Sequence, residues 1–161
     1  METVKKKIAL IALDYDPTAI KVAEQGFMLA GAAHAEVILL HVISDPVYYS
    51  STEYSPIMGY VDYHEIEAVQ LENIEGLRNA SHLFLDKFKH KLGDKAIQTL
   101  VKEGDIAEQI LDTAREIHAD VIILGSHSHK WLEDIVMGSV TKRVMQHTKT
   151  PLLIIPTKKP V

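Results

Sequence analysis

Three short segments of the chain are almost wholly apolar. They are residues 8–13, residues 37–43, in which His41 is the one polar residue, and residues 121–124. A strand with one face in water alternates apolar and polar residues, so runs without alternation indicate strands that are covered on both faces. Covered strands need helices above and below the sheet, which favours a parallel α/β architecture.

Helical patterns separate these runs. Asp16 before Pro17 predicts a helix start, with Asp16 as the N-cap and Pro17 as the first helical residue. Apolar residues at steps of three, four or seven predict a long helix over about residues 63–92. Asp105, followed three residues later by Glu108, resembles a capping box and predicts a further helix.

The remaining predicted elements complete an alternating order. A last helix is predicted over residues 139–147, and further strands over residues 96–102, 120–124 and 152–155. Strict alternation of this kind requires parallel strands joined by right-handed crossovers. The predicted fold class is therefore α/β, an open parallel five-stranded sheet with helices on both faces. We expect one domain over residues 1–161, with a core at about 7–156, an insertion at 44–62 and a tail at 157–161.

Composition and charge disfavour several classes of function. The 17 Lys and Arg residues against 22 Asp and Glu residues give a net charge of −5, which argues against general binding to nucleic acid or an anionic membrane. The chain has no cysteine, which excludes disulfides, thiolate metal sites and cysteine nucleophiles. No apolar stretch reaches the roughly 20 residues of a spanning helix, and no signal-peptide cleavage pattern is present. We expect a soluble, cytoplasmic protein.

The loop after the fourth strand carries residues that suit a phosphate group. It begins with Gly125 and Ser126, and Gly138 and Ser139 open the last helix. Glycine permits close backbone approach, a helix N-terminus offers unpaired N–H donors, and a hydroxyl adds another donor. The structural alternative is that Gly125 turns the chain and Ser139 is an ordinary N-cap. The residues alone leave both interpretations open.

The spacing of these residues resembles a known signature. Gly125, Ser128, Gly138 and Ser139 are similar to G-2x-G-9x-G-[ST], the nucleotide-binding signature of the universal stress protein family. Ser128 stands where the signature has its second glycine. If that position has positive φ, serine costs about 1–2 kcal/mol, whereas its hydroxyl can contribute about 1.5–3 kcal/mol by donating to a phosphate. These effects have opposite signs, and the sequence does not decide between them.

The resemblance covers about residues 7–156 and implies a specific site. It implies the flavodoxin-like, Rossmann-like strand order 3-2-1-4-5, with a ligand crevice where the order reverses. It implies ATP, or the related AMP or ADP, as the ligand, with or without Mg²⁺. Adenine would lie near the end of the first strand and the second strand, and the phosphates along the glycine loop. The residues assigned to the nucleotide are Ala12, Leu13, Asp14, Val42, Leu124, Gly125, Ser126, His127, Ser128, His129, Gly138, Ser139, Val140 and Thr141.

Other polar residues are weaker candidates. Three cations near the glycine loop could offset phosphate charge or could be ordinary solvated surface: Lys130, Lys142 and Arg143. Glu133 or Asp134 could hold a Mg²⁺ ion. The chain lacks a GxxxxGK[ST] loop, so we expect no catalytic residues and at most a slow ATPase. His127 and His129 do not form a compact metal signature, and no metal site is predicted there.

Two segments indicate interactions with other chains. Five tyrosines lie in or just after residues 44–62, where they could cover a ligand or contact a protein partner, or belong to a mobile insertion: Tyr48, Tyr49, Tyr54, Tyr60 and Tyr63. The predicted strand from Leu152 to Ile155 is apolar and lies at an edge, which invites pairing with another chain. The family resemblance implies a homodimer through that strand.

Two functions therefore follow from the sequence. The first is a universal stress protein that binds an adenine nucleotide as a regulatory switch in a stress response, and changes its surface for a protein partner of unknown identity. The second is a nucleotide-independent dimeric interaction module, in which Ser128 marks a degenerate site. Binding of nucleotide distinguishes them.

Overall fold

Five strands alternate with four helices in the computed structural model, which describes residues 3–44, 74–126 and 138–157. In chain order the elements are β1 (Lys7–Ala12), α1 (Ala19–Ala32), β2 (Ala35–Ile43), α2 (Ile74–Leu92), β3 (Gln98–Glu103), α3 (Ile106–Glu116), β4 (Val121–Gly125), α4 (Ser139–His147) and β5 (Leu152–Ile155).

The strands form one parallel sheet in the order β3-β2-β1-β4-β5. β1 lies at its centre, where Ala9 pairs with Val37 of β2 and with Val121 of β4. The predicted fold class and strand order are confirmed. Because parallel strands need crossover connections, the intervening helices cover both faces of the sheet.

The strands are buried on both faces. Ile11 and Leu39 point into a core beneath α1 and α2, while Leu10 and Leu40 point into a second core beneath α3 and α4. All four side chains are 0% exposed. This two-sided burial is the reason why the strand sequences lack polar alternation.

The start of α1 differs from the prediction. Thr18, rather than Asp16, is the N-cap, and Pro17 lies outside the helix. The amide of Ala19 donates to the Asp16 carbonyl at 2.9 Å, so a tight turn precedes the helix and delays its first turn. Asp16 stabilises that turn, because its Oδ1 accepts from the Thr18 amide at 2.9 Å and from the Thr18 hydroxyl at 2.7 Å.

The starts of α3 and α4 are built differently from each other. Asp105 caps α3 as predicted, since its Oδ1 accepts from the Glu108 amide at 3.0 Å. The N-cap of α4 is Gly138, so the interpretation of Ser139 as the N-cap is wrong. Gly125 does not turn the chain either, because it is the last residue of β4 and pairs with Ile155.

The described part of the long predicted helix is α2. It ends before Gly93, whose φ of 73° is in the left-handed region that favours glycine. Residues 63–73, which were predicted to begin this helix, lie outside the described residues, as do the five tyrosines at positions 48–63. Within the described ranges, no helix is both long enough and apolar enough to cross a membrane.

Candidate functional site

The sheet topology creates a crevice at the carboxyl ends of β1 and β4. These strands are neighbours, but β1 leads to α1 on one face of the sheet and the chain after β4 reaches α4 on the other face. Diverging connections leave a gap above the strand ends, and this is where open α/β sheets bind ligands. The crevice is therefore a consequence of strand order.

A cavity in this crevice brings together many of the predicted site residues. It is lined by Ala12, Leu13, Asp14, Val42, Leu124, Gly125, Gly138, Val140 and Thr141 from the predicted set. Gly125 and Gly138 have no side chains, so the backbone is accessible on the α4 side of the cavity. The first, second and fourth strands thus contribute to one site together with the start of α4.

The other predicted residues do not line the cavity or lie outside the described part of the chain. Ser126 is buried, and Ser139 is exposed at the start of α4. The roles of the remaining glycine-loop candidates stay predictions, because these residues fall in the segment that the structure does not describe. They are His127, Ser128, His129, Lys130, Glu133 and Asp134.

Six further residues line the cavity that the sequence interpretation did not assign to it. They are Thr18, Ala19, Val22, Leu40, Ile106 and Ile110. Leu40 could have been found, because it lies two residues before Val42 and the side chains of a strand repeat with a period of two. Ile106 and Ile110 belong to the apolar stripe of α3, which the sequence indicates as core without showing that its first turn reaches the cavity.

Asp14 places a carboxyl group in this mostly apolar cavity. Its Oδ1 accepts from the Asp16 amide at 3.1 Å, so Asp14 also stabilises the turn before α1. Burial raises the pKa of Asp14 from 3.8 to about 7, because the charged form loses hydration; the Asp16 amide opposes the shift. Near neutral pH the carboxyl group is therefore partly protonated, and the protonated form can donate a hydrogen bond while the ionised form only accepts them.

His41 supports the residue before Asp14. It is 2% exposed, and its Nδ1–H donates to the Leu13 carbonyl at 2.7 Å. Burial lowers the pKa of His41 from 6.5 to about 4, so the ring is neutral at pH 7. The ring centroid lies 4.3 Å from that of Tyr15, whose hydroxyl is 2.7 Å from Ser81 Oγ on α2.

The N-terminus of α4 faces the cavity through Val140 and Thr141. No side chain of the described residues caps this helix, in contrast to the Asp105 cap of α3. The amides of the first helical turn have no partner within the helix, so they are available to an anion. The Thr141 hydroxyl is not, because it donates to the Gly125 carbonyl at 3.0 Å.

Ser126 joins the ends of the chain on either side of residues 127–137. Its carbonyl accepts from the Gly138 amide at 2.7 Å, and its own amide donates to the Ile155 carbonyl at 2.9 Å. Its Oγ accepts from the Thr157 amide at 3.0 Å. Ser126 therefore connects the end of β4 both to the start of α4 and to the segment after β5.

The cations and metal candidates have defined environments where the structure describes them. Arg143 Nη1 donates to Asp105 Oδ2 at 2.7 Å, and Lys142 is exposed. Across residues 3–44, 74–126 and 138–157, no three His, Cys, Asp or Glu side chains group as metal ligands.

Comparisons with known proteins assign the family. The model of the universal stress protein family matches residues 6–156. The universal stress protein YxiE of Bacillus subtilis is 30% identical over 149 residues, which cover 91% of this chain and 96% of that protein. The universal stress protein MJ0577 of Methanocaldococcus jannaschii is 27% identical over 161 residues, covering 98% and 99% of the two chains.

Solved structures share the same fold. That of MJ0577 superposes with a TM-score of 0.71 at 26% identity, covering 98% of this chain and 100% of that chain. A universal stress protein crystallised in complex with cAMP gives a TM-score of 0.59 at 18% identity, over 94% and 98% of the two chains. With a family model over nearly the whole chain and a relative at 30% identity, this chain belongs to the universal stress protein family.

Proposed function

We propose that the protein binds an adenine nucleotide, ATP or the related AMP or ADP, in the cavity at the ends of β1 and β4. The observation that carries this proposal is that the N-terminus of α4, which no side chain of the described residues caps, opens into the same cavity as the Asp14 carboxyl group. A helix N-terminus favours an anion, and a carboxyl group within an apolar cavity favours a partner with hydrogen-bonding groups.

The phosphate end is assigned to α4. Val140 and Thr141 line the cavity at the first helical turn, where the backbone amides and the helix dipole favour negative charge. Gly125 and Gly138 allow a phosphate to approach the backbone without meeting a Cβ atom. The amide of Gly138 is already used by Ser126, so the donors are the amides that follow it.

The base end is assigned to Asp14 and Val42. Val42 offers an apolar surface, and an ionised Asp14 carboxylate accepts hydrogen bonds from an exocyclic amine. Adenine carries such an amine, and hypoxanthine carries a carbonyl in its place. We therefore expect AMP to bind more tightly than inosine monophosphate at pH 8, where Asp14 is largely ionised.

The relative solved with cAMP makes adenine nucleotides the first ligand class to test. At 18% identity it shares the fold, and its ligand serves here only to select the probe. The described residues assign no ligand set to Mg²⁺. We propose a regulatory output, in which the bound nucleotide changes the surface that a protein partner contacts during a stress response.

The test is isothermal titration of AMP, cAMP and MgATP into protein that has been unfolded, stripped of ligand and refolded. Ser139→Asp adds a carboxylate at the exposed first residue of α4, which favours the helix but repels a phosphate. Gln146→Glu adds the same charge to an exposed site near the other end of α4 and is the matched control. We expect the first variant to weaken AMP binding at least about tenfold and the second to leave it unchanged.

Either of two results would contradict the proposal. The first is the absence of saturable heat with every nucleotide at millimolar concentration, which would favour the nucleotide-independent interaction module. The second is equal binding by the Ser139→Asp and wild-type proteins, which would place any bound nucleotide away from α4.

We further propose that the protein is a homodimer through β5. This strand lies at the edge of the sheet and pairs only with β4 among the described strands, and Leu152, Leu153 and Ile154 are each partly exposed. An open apolar edge can pair with the same strand of a second copy about a two-fold axis. Sedimentation velocity should show a dimer for the wild type and a monomer for Ile154→Lys; a monomeric wild type would exclude this assembly.

A further inference from the structure

His41 occupies a position where a histidine has a structural cost. It lies in β2 between the cavity-lining residues Leu40 and Val42, but its side chain is on the opposite face of the sheet. The Nε2 atom is buried and has no hydrogen-bond partner among residues 3–44, 74–126 and 138–157. An aliphatic residue of similar volume would carry no such unpaired atom, so the histidine must supply something that packing does not.

What it supplies is a donor to one carbonyl group. The Nδ1–H of His41 donates to Leu13 at 2.7 Å, and the amide of Leu13 donates to the Leu40 carbonyl at 2.8 Å. β1 ends at Ala12, but both backbone polar groups of Leu13 still bond to β2. The amide does so through a backbone hydrogen bond and the carbonyl through a side-chain hydrogen bond. The histidine extends the pairing of β1 with β2 by one residue.

The next residue is the cavity carboxyl group. The Leu13 carbonyl belongs to the peptide that joins Leu13 to Asp14, so the hydrogen bond from His41 fixes the plane of that peptide. The ring itself is held between aromatic side chains, with its centroid 4.3 Å from that of Tyr15 and 5.5 Å from that of Phe84. A rigid ring thus restrains the backbone on which the Asp14 side chain stands.

We propose that His41 is a positioning residue for the nucleotide site: its hydrogen bond to the Leu13 carbonyl holds the Asp14 carboxyl group in the cavity, although His41 does not touch the ligand. This inference rests on the proposed function. It assigns to the buried ring a role separate from packing, and the two roles predict different responses to substitution.

Two substitutions separate the donor from the volume. His41→Leu keeps a side chain of similar size and removes the donor. His41→Asn keeps a donor, because its Nδ2 is bonded to Cγ as Nδ1 is in histidine, but removes the ring that contacts Tyr15 and Phe84. If His41 positions Asp14, the variant that keeps the hydrogen-bond donor should keep its ligand affinity. If His41 only packs, the variant that keeps the side-chain volume should keep both its affinity and its stability.

The experiment measures AMP affinity and urea unfolding for both variants. We expect His41→Leu to bind AMP about tenfold more weakly than the wild type with a nearly unchanged urea midpoint. We expect His41→Asn to bind within about threefold of the wild type with a lower urea midpoint. In an Asp14→Ala background, His41→Leu should cause no further loss of affinity, since the group that it positions is absent.

A second readout does not depend on nucleotide. The Asp14 carboxyl carbon can be titrated by ¹³C NMR in ligand-free protein, and we expect its pKa to fall towards 3.8 in His41→Leu and to stay raised in His41→Asn. Unchanged Asp14 titration in His41→Leu, or AMP affinity equal to wild type in that variant, overturns the inference. Absence of AMP binding by the wild type overturns the proposed function instead, and the NMR titration then decides the positioning role by itself.

Discussion

Asp105, the N-cap of α3, forms an ion pair with Arg143 in the second turn of α4. The Arg143 guanidinium donates to Asp105 Oδ2 at 2.7 Å, while Oδ1 of the same carboxylate accepts from the Glu108 amide at 3.0 Å. The hydrogen bond from Arg143 is the main reason why the pKa of Asp105 is lowered, and the Glu108 amide acts in the same direction. One carboxylate therefore caps α3 and connects it to α4, the helix for which we propose phosphate binding.

The cap should contribute more to stability than the ion pair. We expect Asp105→Ala to lower the free energy of unfolding by about 1–2 kcal/mol, and Asp105→Asn to lose less because asparagine also caps helices. Arg143→Ala should lower the free energy of unfolding less than Asp105→Ala does, since exposed ion pairs are weak. Urea unfolding of the three variants measures this order, and an Arg143→Ala loss as large as that of Asp105→Ala would contradict it.

Two glycines of α1 should respond in opposite directions to alanine. A Cβ atom at Gly26 would lie 3.0 Å from Ile11 Cδ1 and 3.2 Å from Ile123 Cγ2, because the helix packs closely on β1 and β4 there. A Cβ atom at Gly31 would meet no atom of the described part of the chain within 4 Å.

We expect Gly31→Ala to raise the free energy of unfolding by about 0.5–1 kcal/mol, since alanine is the better helix former. Gly26→Ala should lower it by about 1 kcal/mol through overpacking, which outweighs the same gain in helix propensity. Thermal or urea unfolding distinguishes the two, and a stabilised Gly26→Ala protein would show that the sheet accommodates the methyl group.

Asp14 should make stability depend on pH. Its folded-state pKa of about 7 is above the unfolded value of 3.8, so its favourable contribution is present below pH 3.8 and is lost as the pH rises to 7. We expect Asp14→Asn to have a higher urea midpoint than the wild type at pH 8 and a similar one near pH 4. A difference that is the same at both pH values would mean that Asp14 is ionised without penalty in the folded protein.

His41 should have the opposite dependence. Its folded-state pKa of about 4 is below the ordinary 6.5, so its contribution is present above pH 6.5 and is lost as the pH falls towards 4. The free energy of unfolding of the wild type should therefore fall relative to that of His41→Leu as the pH is lowered from 6.5 to 4. In ¹⁵N NMR spectra we expect the ring to stay in the Nδ1–H form from pH 8 to 5, and protonation near pH 6.5 would contradict the buried geometry.

Much of the fold can be predicted from the sequence because it depends on the local periodicity of apolar residues. Residues 139–147 and 152–155 were predicted with the observed bounds of α4 and β5, and the capping role of Asp105 was also correct. The start of α1 was not, because Asp16 and Pro17 satisfy the rules for a helix start, whereas the carbonyl of Asp16 closes a tight turn to Ala19 instead.

Only part of the candidate site can be predicted from the sequence, because residue type and spacing identify some of its residues and not others. Gly125, Gly138 and Asp14 stand out because their residue types suit a ligand and the family signature places them. Ile106 and Ile110 do not, since an apolar stripe that faces a cavity has the same pattern as one that faces the core.

The alternation of buried strands and amphipathic helices can be predicted from the amino-acid sequence alone, because the spacing of apolar residues in each element reflects which of its faces are buried. The packing of separate elements is needed to see that His41 donates to Leu13 and that no side chain of the described residues caps α4. It is also needed to see that Leu13 and the start of α4 line one cavity with Asp14. These relationships join residues from separate elements, and the distances between such residues follow from how the helices and strands pack together.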